Sequence, residues 1–179
     1  MSLTLLEGAL LVFVIGCALG SALLQDTLAS VISFAAYSLG VSIIWLILQA
    51  PDVGLTEAAV GAGIMTILFL LALANTVTPD PDRLLEPIRW RTVLLVGAFV
   101  VVIGATLPAL PAIGDPTAPV VAGDVTQYYL TNAYEETQVK NAVTAVLAAY
   151  RGFDTLGEAV VVFSAGVVAL SVLRREVFA

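Results

Sequence analysis

The chain has 179 residues, of which 60% are hydrophobic and 12% charged, with a formal net charge of −7. A water-soluble domain needs roughly a quarter of its residues charged to cover its surface, so a mean hydropathy of +1.03 excludes that class and points to lipid. There is no histidine and a single cysteine, Cys17; this excludes a disulfide framework and removes the commonest metal ligand and near-neutral base, while the acidic balance excludes nucleic acid as a partner.

A helix needs about 20 apolar residues to cross roughly 30 Å of hydrocarbon. Residues 3–24 supply them, interrupted only by Glu7, and residues 27–48 do so without a charge. The first run is too long, and too poor in preceding basic residues, for a cleaved signal, so it reads as a retained span. Gln49-Ala-Pro51-Asp52 ends the second run, because proline cannot continue a helix interior and restricts the residue before it. Residues 55–74 form the third span. Asn75 to Arg89, with Pro79, Pro81 and Pro87, reads as a polar loop. Residues 90–107 form the fourth span, with Trp90 as an interfacial anchor. The stretch 108–135 opens rich in proline and glycine and reads as an irregular loop. In 136–151, Val139, Val143, Val146, Leu147 and Tyr150 share one side of a helix. Glu136, Lys140, Asn141 and Thr144 share the other, with Glu136 and Lys140 spaced to pair. That segment is too short to span and reads as an amphipathic interfacial helix. A turn at Arg151-Gly-Phe-Asp154 leads into a fifth span, 155–173. The expected fold is an all-α integral membrane protein with five transmembrane helices and one short amphipathic helix before the last.

Lysine and arginine bias sets the orientation. Arg83, Arg89 and Arg91 gather between spans three and four, and Arg174 and Arg175 follow span five. An odd number of spans puts both groups on one side, expected to be cytoplasmic. The N-terminus and the 108–135 loop are then outside a multi-pass protein of the cell membrane.

Acids inside a span cost a few kcal/mol on insertion scales and usually face a protein interior or a water-filled path. If Asp52 caps the third span, Glu57 lies roughly 7 Å inside it at 1.5 Å per residue; this marks Glu57 for ion translocation. Gly61 and Gly63 follow it. Small residues there allow close helix packing, the simpler reading, and tolerate a π-bulge. Glu158 carries two readings. Thr155-x-x-Glu158 fits a capping box, and a first-turn carboxylate meets the positive end of the helix dipole; a place in an ion path is the other. Glu7 and Asp26 read as interfacial or capping acids. Nothing in the sequence pairs a nucleophile with a base, cradles a phosphate or clusters metal ligands, so no catalytic residue, metal centre or cofactor is expected.

Two motifs look familiar. Gln49-Ala-Pro-Asp-Val-Gly-Leu-Thr-Glu-Ala-Ala-Val-Gly-Ala-Gly63 resembles the C-terminal membrane segment of MrpA, the large subunit of Mrp-type Na⁺/H⁺ antiporters, and more closely the small MbhD-type subunits. Tyr150-Arg-Gly-Phe-Asp-Thr-Leu-Gly-Glu158 resembles the MbhE-type unit that follows. The resemblance implies a three-helix MbhD-like unit at 1–78, a cytoplasmic loop at 79–91 and a two-helix MbhE-like unit at 92–179. The same pair corresponds to the five-helix J subunit of respiratory complex I, whose third helix carries a π-bulge near a glycine, where Gly61 to Gly63 fall. One departure stands out: the position of Glu57 is often Gln in MrpA, with an acid one turn later, where this chain has Gly61.

The resemblance further implies a non-enzymatic subunit of an ion-translocating complex. Its partners would be other membrane subunits, the bilayer, Na⁺ and H⁺. Glu57 and Glu158 would serve the ion path, with a possible Na⁺ contact at Glu57. Asp52, Gly61, Gly63, Arg151 and Asp154 would support them. The chain lacks the lysine and histidine series of a full antiporter core, so an accessory or coupling role is expected. The alternatives are the same module in a redox-driven complex, such as a membrane-bound hydrogenase or complex I relative, and a purely structural scaffold.

Overall fold

The computed structural model of the chain describes residues 5–76 and 83–174, with side chains to residue 171. Pro79, Pro81, Arg175 and the side chain of Arg174, on which parts of the loop and orientation expectations rest, lie outside the described residues. Five helices are long and apolar enough to cross a membrane: Leu5–Leu23, Thr27–Ile47, Pro51–Ala74, Trp90–Ala109 and Gly152–Ser171. Among the described residues there is no strand, only an isolated antiparallel bridge between Leu24 and Leu85. The chain forms two compact units, residues 1–110 and 111–179.

In the first unit, the second span packs against the first and the third. Asp26 caps it by accepting the Leu28 N–H at 3.0 Å. Its other end closes as a Schellman turn. Gln49 adopts φ 61°, its N–H donates to the Leu46 carbonyl, and the Ala50 N–H donates to the Trp45 carbonyl. The left-handed residue after the helix satisfies carbonyls that the helix leaves open. Pro51 then opens the third span as its first helical residue, where its missing N–H costs nothing. The expected start at residue 55 is therefore corrected to Pro51. Asp52 is in the first turn rather than at the cap.

Gly54 and Gly61 let the second and third spans approach. A Cβ at Gly54 would lie 3.0 Å from the Ser42 carbonyl oxygen. The Ser42 hydroxyl donates to the Gly54 carbonyl at 2.6 Å in a buried setting. Such interhelical hydrogen bonds, with small residues between them, are what holds helices together where lipid removes the hydrophobic drive. From Ala58 to Met65 the third span runs as a π-helix before returning to α-helix at Thr66. At the far end of the first span the loop folds back. The Gln25 N–H donates to the Leu84 carbonyl, the Glu86 N–H to the Leu23 carbonyl, and the Arg83 N–H to Gln25 Oε1 at 2.8 Å. The fourth span begins at Trp90, with the Arg91 guanidinium 5.7 Å from the Trp90 ring centroid.

The second unit corrects two local expectations. The stretch 108–135 is not all loop, since helix runs over Pro119–Ala122 and Asp124–Thr137. Pro119 sits at a first helical position, where proline starts a helix rather than breaking one. The segment 136–151 is not one helix. Gln138 adopts φ 60° and closes the preceding helix, and Asn141 caps a new one by accepting the Thr144 N–H at 3.0 Å. Helix then runs over Ala142–Ala145 and as π-helix over Val146–Tyr150. With a helix end between them, Glu136 and Lys140 do not form an ion pair; among the described residues the only ion pair joins Arg151 and Asp154. The final helix starts at Gly152 instead of residue 155.

Candidate functional site

Glu57 stands six residues beyond Pro51, about 9 Å along the helix at 1.5 Å per residue. It is half-buried. It lines a shallow recess of about 400 Å³ together with Phe34, Tyr37, Ser38, Thr56, Val60, Gly61 and Met65. Its side chain reaches one turn forward: Oε1 lies 3.0 Å from where a Gly61 Cβ would be. Gly61 itself is buried, and the Ser38 side chain of the second span presses on the same point. Thus the carboxylate lies over a notch that only glycine leaves open. The π-helix begins at the residue after Glu57. Widening the turn disturbs the carbonyl pairing of an α-helix, and the Gly61 carbonyl accepts the Thr66 hydroxyl at 3.1 Å. Gly63 has only ordinary contact, with the Ala58 carbonyl oxygen 3.5 Å from its would-be Cβ. Asp52 is half-buried, and its carbonyl accepts the Thr56 hydroxyl at 3.1 Å.

The residues expected around the last span lie in the second unit. The Arg151 guanidinium binds Asp154 Oδ2 through both Nε and Nη2 at 2.6 Å. This ties the residue before the last helix to its first turn. The capping box at Thr155 does not form. Thr155 is inside the helix, and its hydroxyl donates instead to the Leu147 carbonyl at 2.7 Å, beside the second π-turn. Glu158 therefore lies beyond the first turn, exposed, without a hydrogen-bond or ionic partner among the described residues.

Sequence reasoning passed over two groups. Among the described residues of the first unit, Ser38 and Ser42 are the buried polar ones, and the one available signal was their spacing of four in a charge-free span. The other group is built on Glu136, whose carboxylate accepts the Tyr128 hydroxyl at 2.6 Å and the Tyr150 hydroxyl. The Tyr150 ring also meets Tyr129, centroids 4.8 Å apart. The two phenols hold the Glu136 carboxyl below the usual carboxylate range, Tyr128 contributing most. In return the bond to Glu136 pushes Tyr150 up to about 12.

A helical, multi-pass membrane protein with a half-buried carboxylate at a π-turn is the class these features define. Residues 12–77 match the family model MbhD, the D subunit of MBH, and residues 94–178 match MbhE, the E subunit of MBH. The chain thus carries an MbhD-like region and an MbhE-like region in one polypeptide. It is 31% identical over 159 residues to the putative antiporter subunit mnhA2 of Staphylococcus haemolyticus, a match covering 88% of this chain and 18% of that protein. It is 32% identical over 176 residues to the A/B subunit of a probable K(+)/H(+) antiporter of Rhizobium meliloti, covering 90% and 16% respectively. The A1 subunit of the Na(+)/H(+) antiporter of S. haemolyticus is 30% identical over 177 residues, covering 95% and 20%. The chain spans about a fifth or less of the length of these curated relatives.

Proposed function

We propose that this chain is a non-enzymatic subunit of a Mrp-type cation/proton antiporter, with Glu57 and Glu158 contributing carboxylates to the ion path. The observation that carries this reading is Glu57. A carboxylate inside a span costs a few kcal/mol, yet here it is half-buried in a recess, over a glycine, at the start of a π-turn. Glu158 supports it, because no cap or ion pair among the described residues accounts for an acid at that depth. One carboxylate cannot enclose an ion, so other membrane subunits supply the rest of the path. The relatives carry names of both Na⁺/H⁺ and K⁺/H⁺ antiporters, and Na⁺ is the first cation to test at Glu57. The proposed topology places the N-terminus outside and the segment between the third and fourth spans in the cytoplasm, as the arginine bias requires. The MbhD-like unit would be 1–78 and the MbhE-like unit 92–179.

The test is antiport by vesicles carrying the complex with Glu57→Ala or Glu158→Ala. Loss of Na⁺-dependent proton movement with normal assembly is the expected outcome. Full antiport in both, with normal assembly, refutes the ion-path role, and defective assembly with unchanged flux per complex favours a scaffold. A second reading, the same module in a redox-driven complex, draws on the MBH description of both families. Co-purification with iron–sulfur subunits would support it.

A further inference from the structure

The recess beside Glu57 has a second polar wall. Ser38 belongs to the second span, which carries no charged residue, and it is 1% exposed. It points at Gly61 across the interface. A Cβ built on Gly61 would lie 2.8 Å from Ser38 Cβ, in contact with the Ser38 hydroxyl, and 3.0 Å from Glu57 Oε1. A hydroxyl oxygen from one helix and a carboxylate oxygen from the next therefore approach each other beside Gly61, on the wall of the recess that all three residues line. Two neighbouring hydroxyls are committed elsewhere, while Tyr37 also lines the recess. Ser42 donates to the Gly54 carbonyl at 2.6 Å, and Thr56 donates to the Asp52 and Val53 carbonyls at 3.1 and 2.9 Å. A buried hydroxyl is costly unless it has a polar partner, and the polar atom converging on the same notch as Ser38 is the Glu57 carboxylate.

We propose that Ser38 and Glu57 form one oxygen-donor pair over Gly61 that binds a small monovalent cation. The cation takes a carboxylate oxygen from Glu57 and the hydroxyl oxygen from Ser38. A pair with one carboxylate neutralises one positive charge. Among the described residues no group of three or more acidic, cysteine or histidine side chains exists to hold a divalent ion. Hard cations take oxygen ligands, and the remaining ligands come from water or a neighbouring subunit. A proton and the cation compete for the same carboxylate oxygen. Ser38 is thus a second cation-holding residue, on a span that sequence alone gave no reason to single out. The inference rests on the reading of Glu57 as part of the ion path.

The experiment uses the assembled complex in vesicles and measures antiport against Na⁺ concentration at fixed pH. Ser38→Ala removes the hydroxyl and keeps the Cβ contact at Gly61. The half-saturating Na⁺ concentration should rise about tenfold, equivalent to about 1.4 kcal/mol. Maximal rate and assembly should hold. A purely packing role for Ser38 would leave half-saturation unchanged, and that result overturns the proposal. Ser38→Cys keeps the size but replaces a hard oxygen with soft sulfur, so it must show the same rise; it decides the matter if the alanine variant does not assemble. Glu57→Gln separates the two readings. If it abolishes antiport while both Ser38 variants behave as the wild type, only this inference fails. If it leaves antiport intact, the ion-path reading fails as well.

Discussion

Gly61→Ala sets helix propensity against packing, and the two have opposite signs. Alanine is favoured over glycine in a helix interior by about 0.8–1.0 kcal/mol, so in a free helix the substitution stabilises. At Gly61 the new Cβ would lie 2.8 Å from Ser38 Cβ and 3.0 Å from Glu57 Oε1. The carboxylate is the end of a flexible side chain and can swing away. Ser38 is 1% exposed and can move only with the second span. Forcing a methyl into a filled interior costs about 1–3 kcal/mol. Subtracting the propensity gain leaves a net loss of up to about 2 kcal/mol. Gly63→Ala, two residues along the same π-helix, is the matched control. Its Cβ would be 3.5 Å from the Ala58 carbonyl oxygen, an ordinary contact, so it should be neutral or stabilising by up to about 1 kcal/mol. The assay is reversible unfolding of the purified protein in detergent, with both variants side by side. Gly61→Ala must be the less stable. Equal stability, or the reverse order, would refute the close approach of the two spans at this point.

Two further predictions concern the second unit. The Glu136 clamp should act only in a window of pH. The Glu136 pKa is lowered on folding, so its contribution is present above the ordinary value of 4.5 and is lost as pH falls through the lowered value. The Tyr150 pKa is raised, so its contribution is present below 10.0 and is lost as pH rises through about 12. Glu136→Gln should return tyrosinate formation at Tyr150 toward 10.0, read by ultraviolet absorbance against the same variant carrying Tyr150→Phe; an unmoved titration would dismiss the clamp. Arg151→Ala breaks an ion pair whose side chains are 67% and 57% exposed. Screened pairs of this kind contribute less than about 1 kcal/mol, so the unfolding midpoint should barely move. A large loss in that measurement would show that Arg151 anchors something beyond Asp154.

The spans were legible because lipid thickness demands long apolar runs, a constraint written in consecutive residues. Their ends were less so, because the same residue starts or stops a helix depending on the turn before it. Pro51 reads as a stop for the second span, yet after the Schellman turn at Gln49 it is the first residue of the third. Pro119 and the polar residues after it hid a helix in the same way, since Asp124–Thr137 meets the following segment through Tyr150, which touches Glu136 and Tyr129, rather than through a long apolar stripe. The break at Gln138 was invisible, because a left-handed glutamine carries no glycine or asparagine to announce it. Of the candidate site, Glu57 could be found from its cost in lipid. Ser38 could not, because its significance lies in a contact between two helices about twenty residues apart in sequence, and a lone serine in an apolar run carries no such mark.

The apparent departure at Glu57 takes a different form in three dimensions. By resemblance, MrpA often carries its acid one turn later, at the position of Gly61. An alignment compares backbone positions, whereas an ion meets the end of a side chain. Residues four apart share a helix face, with Cβ atoms about 5–6 Å apart, and an extended glutamate can cover most of that distance. Glu57 does so, placing Oε1 3.0 Å from the Cβ position of the residue one turn on. Glycine at 61 is then the complement of glutamate at 57, because any larger residue would occupy the space into which the carboxylate leans. Reciprocal exchange tests this directly. Gly61→Glu alone should crowd Ser38 and lose assembly or antiport, as should Glu57→Gln alone. Gly61→Asp combined with Glu57→Gln should stay as impaired as Gly61→Asp alone, since a Cβ at 61 meets Ser38 Cβ at 2.8 Å wherever the new carboxylate reaches. Recovery of antiport in the double variant would mean that Ser38 yields, and that the place the oxygens reach, and not the glycine at 61, is what the site requires.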